Sequence, residues 1–284
     1  PRDAPTVLLL HGFPSSSHMF RNLIPMLVDK YHVVAPDFPG YGESSAPSVN
    51  DFDYSYERLA TVTEKFTEKL NLSSYALYLS DIGASIGFRL AVMHPERVTA
   101  MIIQNGGAHV EAINKEFLTK GLSGYWEDRS EKNAQVLLDW LLTIEGTKWH
   151  YLHGVSDPSK ISPDNWVIDQ AYQDRPGNKE IQLSILYNAK RNLDVYADWQ
   201  EYFRKEQPCA PQKTDSRGTR FLSCSGSLKA VFVVQPTENR CRDDSAILRN
   251  AMPLRLKLRL YRTRIRRSRS EAGVWTSPIV MRCP

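Results

Sequence analysis

The chain has 284 residues, 42% hydrophobic and 24% charged, which suits one sizeable core with an inserted subdomain and is too polar to span a membrane. No apolar run approaches the roughly 20 residues of a membrane helix, and the start Pro1-Arg2-Asp3-Ala4-Pro5 has neither Met nor a basic-then-apolar leader, so a soluble, cytoplasmic protein truncated at its N-terminus is expected. The net charge of +4 divides at Pro208: residues 1–208 hold 20 basic and 27 acidic side chains, net −7, and residues 209–284 hold 16 and 5, net +11.

In chain order, Thr6 to Leu10 is a continuously apolar run ending at His11-Gly12-Phe13-Pro14, the pattern of a strand buried on both faces. Phe20, Leu23, Ile24 and Leu27 recur at helical spacing, and His32 to Ala35 predicts a second strand closed by Pro36-Asp37-Phe38-Pro39-Gly40-Tyr41-Gly42. A helix is predicted from Tyr56 to Leu70 with Leu59, Val62, Phe66 and Leu70 on its apolar side. A third strand, Tyr75 to Leu79, runs into Ser80-Asp81-Ile82-Gly83. A buried helix follows over Ala84 to Met93, stopped by Pro95, and Val98 to Ile103 is a fourth strand. Strands alternating with helices predict an α/β fold, a mostly parallel sheet with helices on both faces.

From Val110 the strand rhythm stops. Five tryptophans (126, 140, 149, 166, 199) lie among helical patterns such as Ala134 to Ile144 and Ile181 to Lys190, and Ser162-Pro163 has the form of a helix start. After Pro208 periodicity fails apart from a strand-like Ala230 to Val234 and the alternating Leu254 to Leu260. The boundaries expected are therefore 1–109 for the first part of the core, 110–207 for a helical cap and 208–284 for a basic tail. Cys209, Cys224, Cys241 and Cys283 all lie in that tail, spaced by 15, 17 and 42 residues, so neither a redox pair nor a zinc site is expected.

The chemistry is expected at Asp81. A side chain between a buried strand and a buried helix, with glycine two residues on, is held on a tight turn at the C-terminal edge of the sheet. Centring the turn on Ser80 would put Tyr78 and Ile82 at flanking positions that must be small. Leu79 and Gly83 suit Asp81 better, although Leu79 is large for its place. The competing role for Asp81 is an N-cap of the following helix.

Taken together, His11-Gly12-Phe13-Pro14, Asp37 through Gly40 with Gly42 and Ser44, Ser80-Asp81-Ile82-Gly83 and His94-Pro95-Glu96-Arg97-Val98 resemble the α/β-hydrolase superfamily, over about Thr6 to Gln207. The nearest branch is the epoxide hydrolases and haloalkane dehalogenases. The resemblance implies that Asp81 attacks an electrophilic carbon of a small-molecule substrate to form an alkyl ester. It further implies that the backbone N–H groups of Phe13 and Ile82 form an oxyanion hole, worth roughly 3 to 4 kcal/mol per donor, and that no metal or organic cofactor takes part. Dehalogenases place a Trp just after the nucleophile and an Asn or Trp elsewhere to bind halide. Here those places hold Ile82 and Phe13, which favours an epoxide, whose opening oxygen relatives protonate from cap tyrosines; Tyr125, Tyr151, Tyr172, Tyr187 and Tyr196 lie in the insertion.

The histidine and carboxylate that should follow the cap are missing. Histidines stand at 11, 18, 32, 94, 109, 150 and 153, none later. The acid site some relatives use after the fourth strand is Gln104-Asn105, and Val231 to Val234 followed by Glu238 or Asp243 is the only trace of a later acid-bearing strand. The change at Pro208 suggests a shifted reading frame or aberrant exon, an enzyme that alkylates and stalls, and an open apolar sheet edge. His150 or His153 is the candidate substitute base. The rival is a non-catalytic binder whose Arg255 to Arg269 stretch attracts anions, without specific recognition of nucleic acid or membrane.

Overall fold

The computed structural model describes residues 4–110, 113, 118–206 and the backbone of 231–234. The strands are β1 (Thr6–Leu10), β2 (His32–Val34), β3 (Tyr75–Ser80), β4 (Val98–Gln104) and β5 (Val231–Val234). They form one parallel sheet in the order β2-β1-β3-β4-β5. Leu8, Leu9 and Leu10 are fully buried, as are Leu77 and Leu79, so both faces of the central strands are covered. Each such leucine stabilises the fold by about 1.5–3 kcal/mol through the area it removes from water. The strand predicted at Val231 to Val234 does form, and its backbone pairs with β4 from Met101↔Val231 to Gln104↔Val234. The described sheet therefore ends at β5 rather than at β4; Glu238 and Asp243 lie outside the described residues.

Helix α1 (Tyr56–Lys69) starts at Ser55, whose side chain accepts the Arg58 N–H, and α2 (Ile82–Met93) follows Asp81. The face α1 buries differs from the stripe expected: it is Tyr56, Leu59, Ala60, Thr63 and Thr67, while Leu70 is exposed. Thr63 and Thr67 tolerate burial because their hydroxyls donate to the carbonyls of Leu59 (2.8 Å) and Glu64 (2.7 Å).

The helical region comprises α3 (Ser123–Glu127), α4 (Glu131–Trp140), α5 (Ile144–Leu152), α6 (Asp164–Gln173), α7 (Asn178–Asn188) and α8 (Tyr196–Glu206). The single helix expected over Ala134 to Ile144 is two, because Thr143 caps a new start by accepting the Gly146 N–H at 3.1 Å. A side chain at Gly146 would sit 2.0 Å from the Trp140 carbonyl, so only glycine permits this reversal. Ser162 Oγ accepts the Asp164 N–H at 3.4 Å, and the helix begins after Pro163. α8 joins the main core: Trp199 is 1% exposed and its ring lies 5.2 Å from Phe88 of α2. Among the described residues, no helix is long and apolar enough to cross a membrane.

Candidate active site

Sheet order builds the site before any side chain does. β1 is flanked by β2 on one side and β3 on the other, so the chain leaves the C-terminal ends of β1 and β3 in opposite directions and a crevice opens between them. Gly12 lines it from β1 and Asp81 from β3; a Cβ on Gly12 would stand 2.7 Å from that of Asp81. Gly83 lets α2 close onto β1, since a Cβ there would fall 2.4 Å from the Leu10 carbonyl oxygen. The large Leu79 is accommodated one turn along α2 by Gly87, where any Cβ would meet Leu79 at 2.3 Å.

Asp81 adopts φ 49°, ψ −116°, a conformation L-residues reach only at a cost of about 1–3 kcal/mol. The turn is held by the Asp81 N–H to the Gln104 carbonyl (3.3 Å) and the Ala84 N–H to the Asp81 carbonyl (2.9 Å). The carboxylate makes no capping bond to α2. Its Oδ1 instead accepts the Phe13 N–H at 2.9 Å. Burial pushes the Asp81 pKa upward, and the N–H groups of Phe13 and Ile82 oppose that shift by stabilising the charge. As a residue Asp81 is nevertheless exposed to solvent, although its carboxylate is closely surrounded by protein.

The flanking loops are fixed by their own polar groups. His11 is fully buried, its Nε2 accepting the Phe38 N–H (3.1 Å) while Nδ1 lies 3.2 Å from the Gly12 carbonyl; burial lowers its pKa to about 4. Both nitrogens are committed, so His11 is a neutral strut. Asp37 accepts the N–H groups of Ser17 (2.7 Å) and Glu43 (2.8 Å) and ties two loops together. Gln104 accepts the Tyr78 hydroxyl at 2.8 Å and supplies no carboxylate.

The remaining histidines divide by surroundings. His94 pairs with Glu64 at 2.5 Å and His32 contacts the Thr6 hydroxyl, while His153 stacks on Trp149 at 4.6 Å. His150 alone among the described histidines packs its ring on Phe13, at 5.5 Å, and burial lowers its pKa to about 4.

Hydrogen-bond accounting separates the tyrosines. The hydroxyl of Tyr151 donates to Asp169 and that of Tyr172 to Glu43, so neither has a proton to spare. Tyr125 and Tyr187 contact each other edge to face at 5.6 Å, within the apolar cluster against which Phe13 also packs. Tyr187 Oη accepts from Lys190 Nζ at 2.7 Å. Tyr196 packs on Trp199. Two core tyrosines missed in the sequence also feel the Asp81 charge. Tyr56 and Tyr41 are buried, which with that charge raises their pKa values, and the Tyr41 hydroxyl has no partner among the described residues. Tyr41 stands inside the Gly40-Tyr41-Gly42 turn, and that position was the only available signal.

A separate open cleft of ≈ 600 Å³, bordered by Trp140, Trp149, Val136, Asp139 and Glu145, does not include Asp81. No cluster of three metal-ligating side chains occurs among the described residues.

The profile of the α/β hydrolase fold family matches residues 5–208, most of the chain. The chain belongs to the α/β-hydrolase family. An uncharacterized hydrolase of Saccharomyces cerevisiae, YNR064C, is 34% identical over 202 residues, covering 70% of this chain and 69% of the yeast protein. A haloalkane dehalogenase of Mycolicibacterium paratuberculosis is 41% identical over 107 residues, 37% of this chain and 35% of that protein, so the chain spans about a third of this relative. Among solved structures, Cfl2 of Burkholderia cenocepacia superposes with a TM-score of 0.58 at 21% identity, covering 70% of this chain and 68% of that one. A Pseudomonas aeruginosa protein assigned as an epoxide hydrolase gives 0.57 at 24%, covering 72% and 68%. These two structures share the fold, and in sequence this α/β-hydrolase is similar to the dehalogenase over about a third of that protein.

Proposed function

We propose that this α/β-hydrolase attacks a small apolar electrophile, an epoxide in first place, through the Asp81 carboxylate, forming an alkyl ester without a cofactor. The observation that carries the reading is the strained, solvent-accessible Asp81 whose Oδ1 already accepts the Phe13 N–H. With Oδ1 so engaged, Oδ2 is the attacking atom. The carbon–oxygen bond of the epoxide breaks as the ester bond forms, and the ring oxygen takes a proton from a tyrosine. Oδ1 becomes the ester carbonyl oxygen, still facing the donors that would hold its negative charge when water adds.

An epoxide is favoured over a haloalkane by the donors available. Leaving halide needs N–H groups, and the indole N–H of Trp126 is spent on the Leu186 carbonyl at 2.7 Å. Tyr187 is the acid we assign, since its hydroxyl oxygen accepts a hydrogen bond and its proton is left to donate. The partial match to a dehalogenase keeps a haloalkane as the second reading.

Ester hydrolysis needs a base, and the sequence has no histidine after His153. We therefore read the chain, whose 110–207 segment serves as the cap, as one that alkylates and stalls. Incubation with styrene oxide followed by intact and peptide mass spectrometry tests this. A single adduct on the Asp81 peptide that persists for hours, absent in Asp81→Asn, is the expected result. Catalytic turnover would overturn the stall, and its loss in His150→Ala would then assign His150 as the base. No adduct with styrene oxide or 1-iodobutane would sink the nucleophile itself.

A further inference from the structure

We infer that Lys190 is a positioning residue for epoxide opening, which aims the Tyr187 proton at the substrate and holds the phenolate formed when that proton leaves. The inference rests on the reading of Asp81 and Tyr187 given above.

Lys190 Nζ lies 2.7 Å from the Tyr187 hydroxyl oxygen and 3.9 Å from the centre of its ring, and donates a further bond to the Trp126 carbonyl at 2.9 Å. An ammonium has three protons and no lone pair, so it can only donate to the phenol. The phenolic proton is thereby turned away from Lys190, and no described residue accepts it. Tyr151 and Tyr172 show the opposite arrangement, each donating its proton to a carboxylate. Arg129 adds a second cation, its guanidinium carbon 4.7 Å from the same ring centre.

The link from this pair to Asp81 runs through Phe13. Tyr187 and Phe13 pack against one apolar cluster, which includes Leu122, Leu183 and Leu186, and the Phe13 N–H holds Asp81. Lys190 and Tyr187 are both half-buried, where a charge interaction outweighs its value in open water.

The step balances. As Asp81 Oδ2 forms its bond to carbon, the epoxide carbon–oxygen bond breaks, and its electrons remain on oxygen, which takes the Tyr187 proton to become an alcohol. The negative charge passes to Tyr187, beside Lys190 and Arg129, and a proton from water restores the phenol. Alkylation by an iodoalkane expels iodide and needs no proton, so the two reagents separate the roles.

The test compares rates of ester formation on the full chain with styrene oxide and 1-iodobutane, followed by intact mass. In Lys190→Met the ratio of epoxide to iodoalkane rates is expected to fall at least tenfold, and to recover in Lys190→Arg. Should Lys190→Met fail to fold, Lys190→Gln, which keeps a donor but no charge, carries the same comparison with a smaller fall. An unchanged ratio, or an equal loss with both reagents without rescue by arginine, overturns the assignment and leaves Asp81 standing. Labelling by 1-iodobutane but not by styrene oxide in the unsubstituted chain overturns it together with the epoxide reading and the Tyr187 assignment, and leaves Asp81 standing. Labelling by neither overturns the Asp81 reading and this inference together.

Discussion

Two aspartates sit deep in this molecule and have opposite chemical characters. Asp169, on α6, is 1% exposed; it accepts the Tyr151 hydroxyl through Oδ2, while Oδ1 has no partner among the described residues. Burial raises its pKa from 3.8 to about 6. Asp81 is also pushed upward by burial, but its partners are rigid backbone N–H groups, its backbone is strained, and the residue is exposed. Burial alone therefore does not mark a reactive carboxylate. The proposed nucleophile differs from Asp169 in being an exposed residue beside donors that belong to the main chain and cannot swing away.

The comparison breaks most visibly at Asp81. Asp81→Asn is expected to lower labelling by styrene oxide by at least about a thousandfold, since an amide is a far weaker nucleophile at carbon than a carboxylate. Asp169→Asn should leave labelling within a few fold. Labelling should also track ionisation: because the Asp81 pKa is raised, the rate is expected to climb with pH at values above the ordinary aspartate range.

Next in size is Gly83→Ala, which pushes a methyl into the β1 backbone and is expected to destabilise by about 3 kcal/mol or more in chemical denaturation. Asp169 then sharpens the contrast through pH. Its folded pKa lies above its unfolded one, so its contribution is fully present below about 3.8 and is lost as pH rises through about 6. The full shift corresponds to roughly 3 kcal/mol. Melting between pH 4 and 7 should show the unsubstituted chain losing stability relative to Asp169→Asn as pH rises; parallel curves would refute this. The smallest effect is expected from Tyr41→Phe, which removes a buried hydroxyl with no partner among the described residues and should stabilise by about 1 kcal/mol.

Much of the frame was legible because parallel strands buried on both faces read as unbroken apolar runs, as at Leu8-Leu9-Leu10, and because turns at crevices demand glycine, as at Gly12 and Gly83. The tight turn that carries Asp81 could be located by its neighbours alone. The tyrosines could not be sorted this way. Tyr151 and Asp169 are 18 residues apart and Tyr172 and Glu43 are 129 apart, so their pairing depends on tertiary approach that no local pattern encodes. The α1 face was misread because threonines that bond their own helix are buried as readily as leucines. Ala230 to Val234 was legible as strand-like, but whether such a run pairs depends on an edge being available, a property of topology.

The crevice between β1 and β3 carries one more consequence. The groups facing Asp81 from the sheet are main-chain N–H groups at the ends of two neighbouring strands, and the space between them exists because the chain winds away on either side. Under the proposed function, Asp81 and its main-chain donors form a fixed socket, and selectivity falls to the helical region. Grafting the corresponding segment of a relative in place of residues 118–195 is expected to change which electrophiles are accepted and to leave alkylation at Asp81 intact.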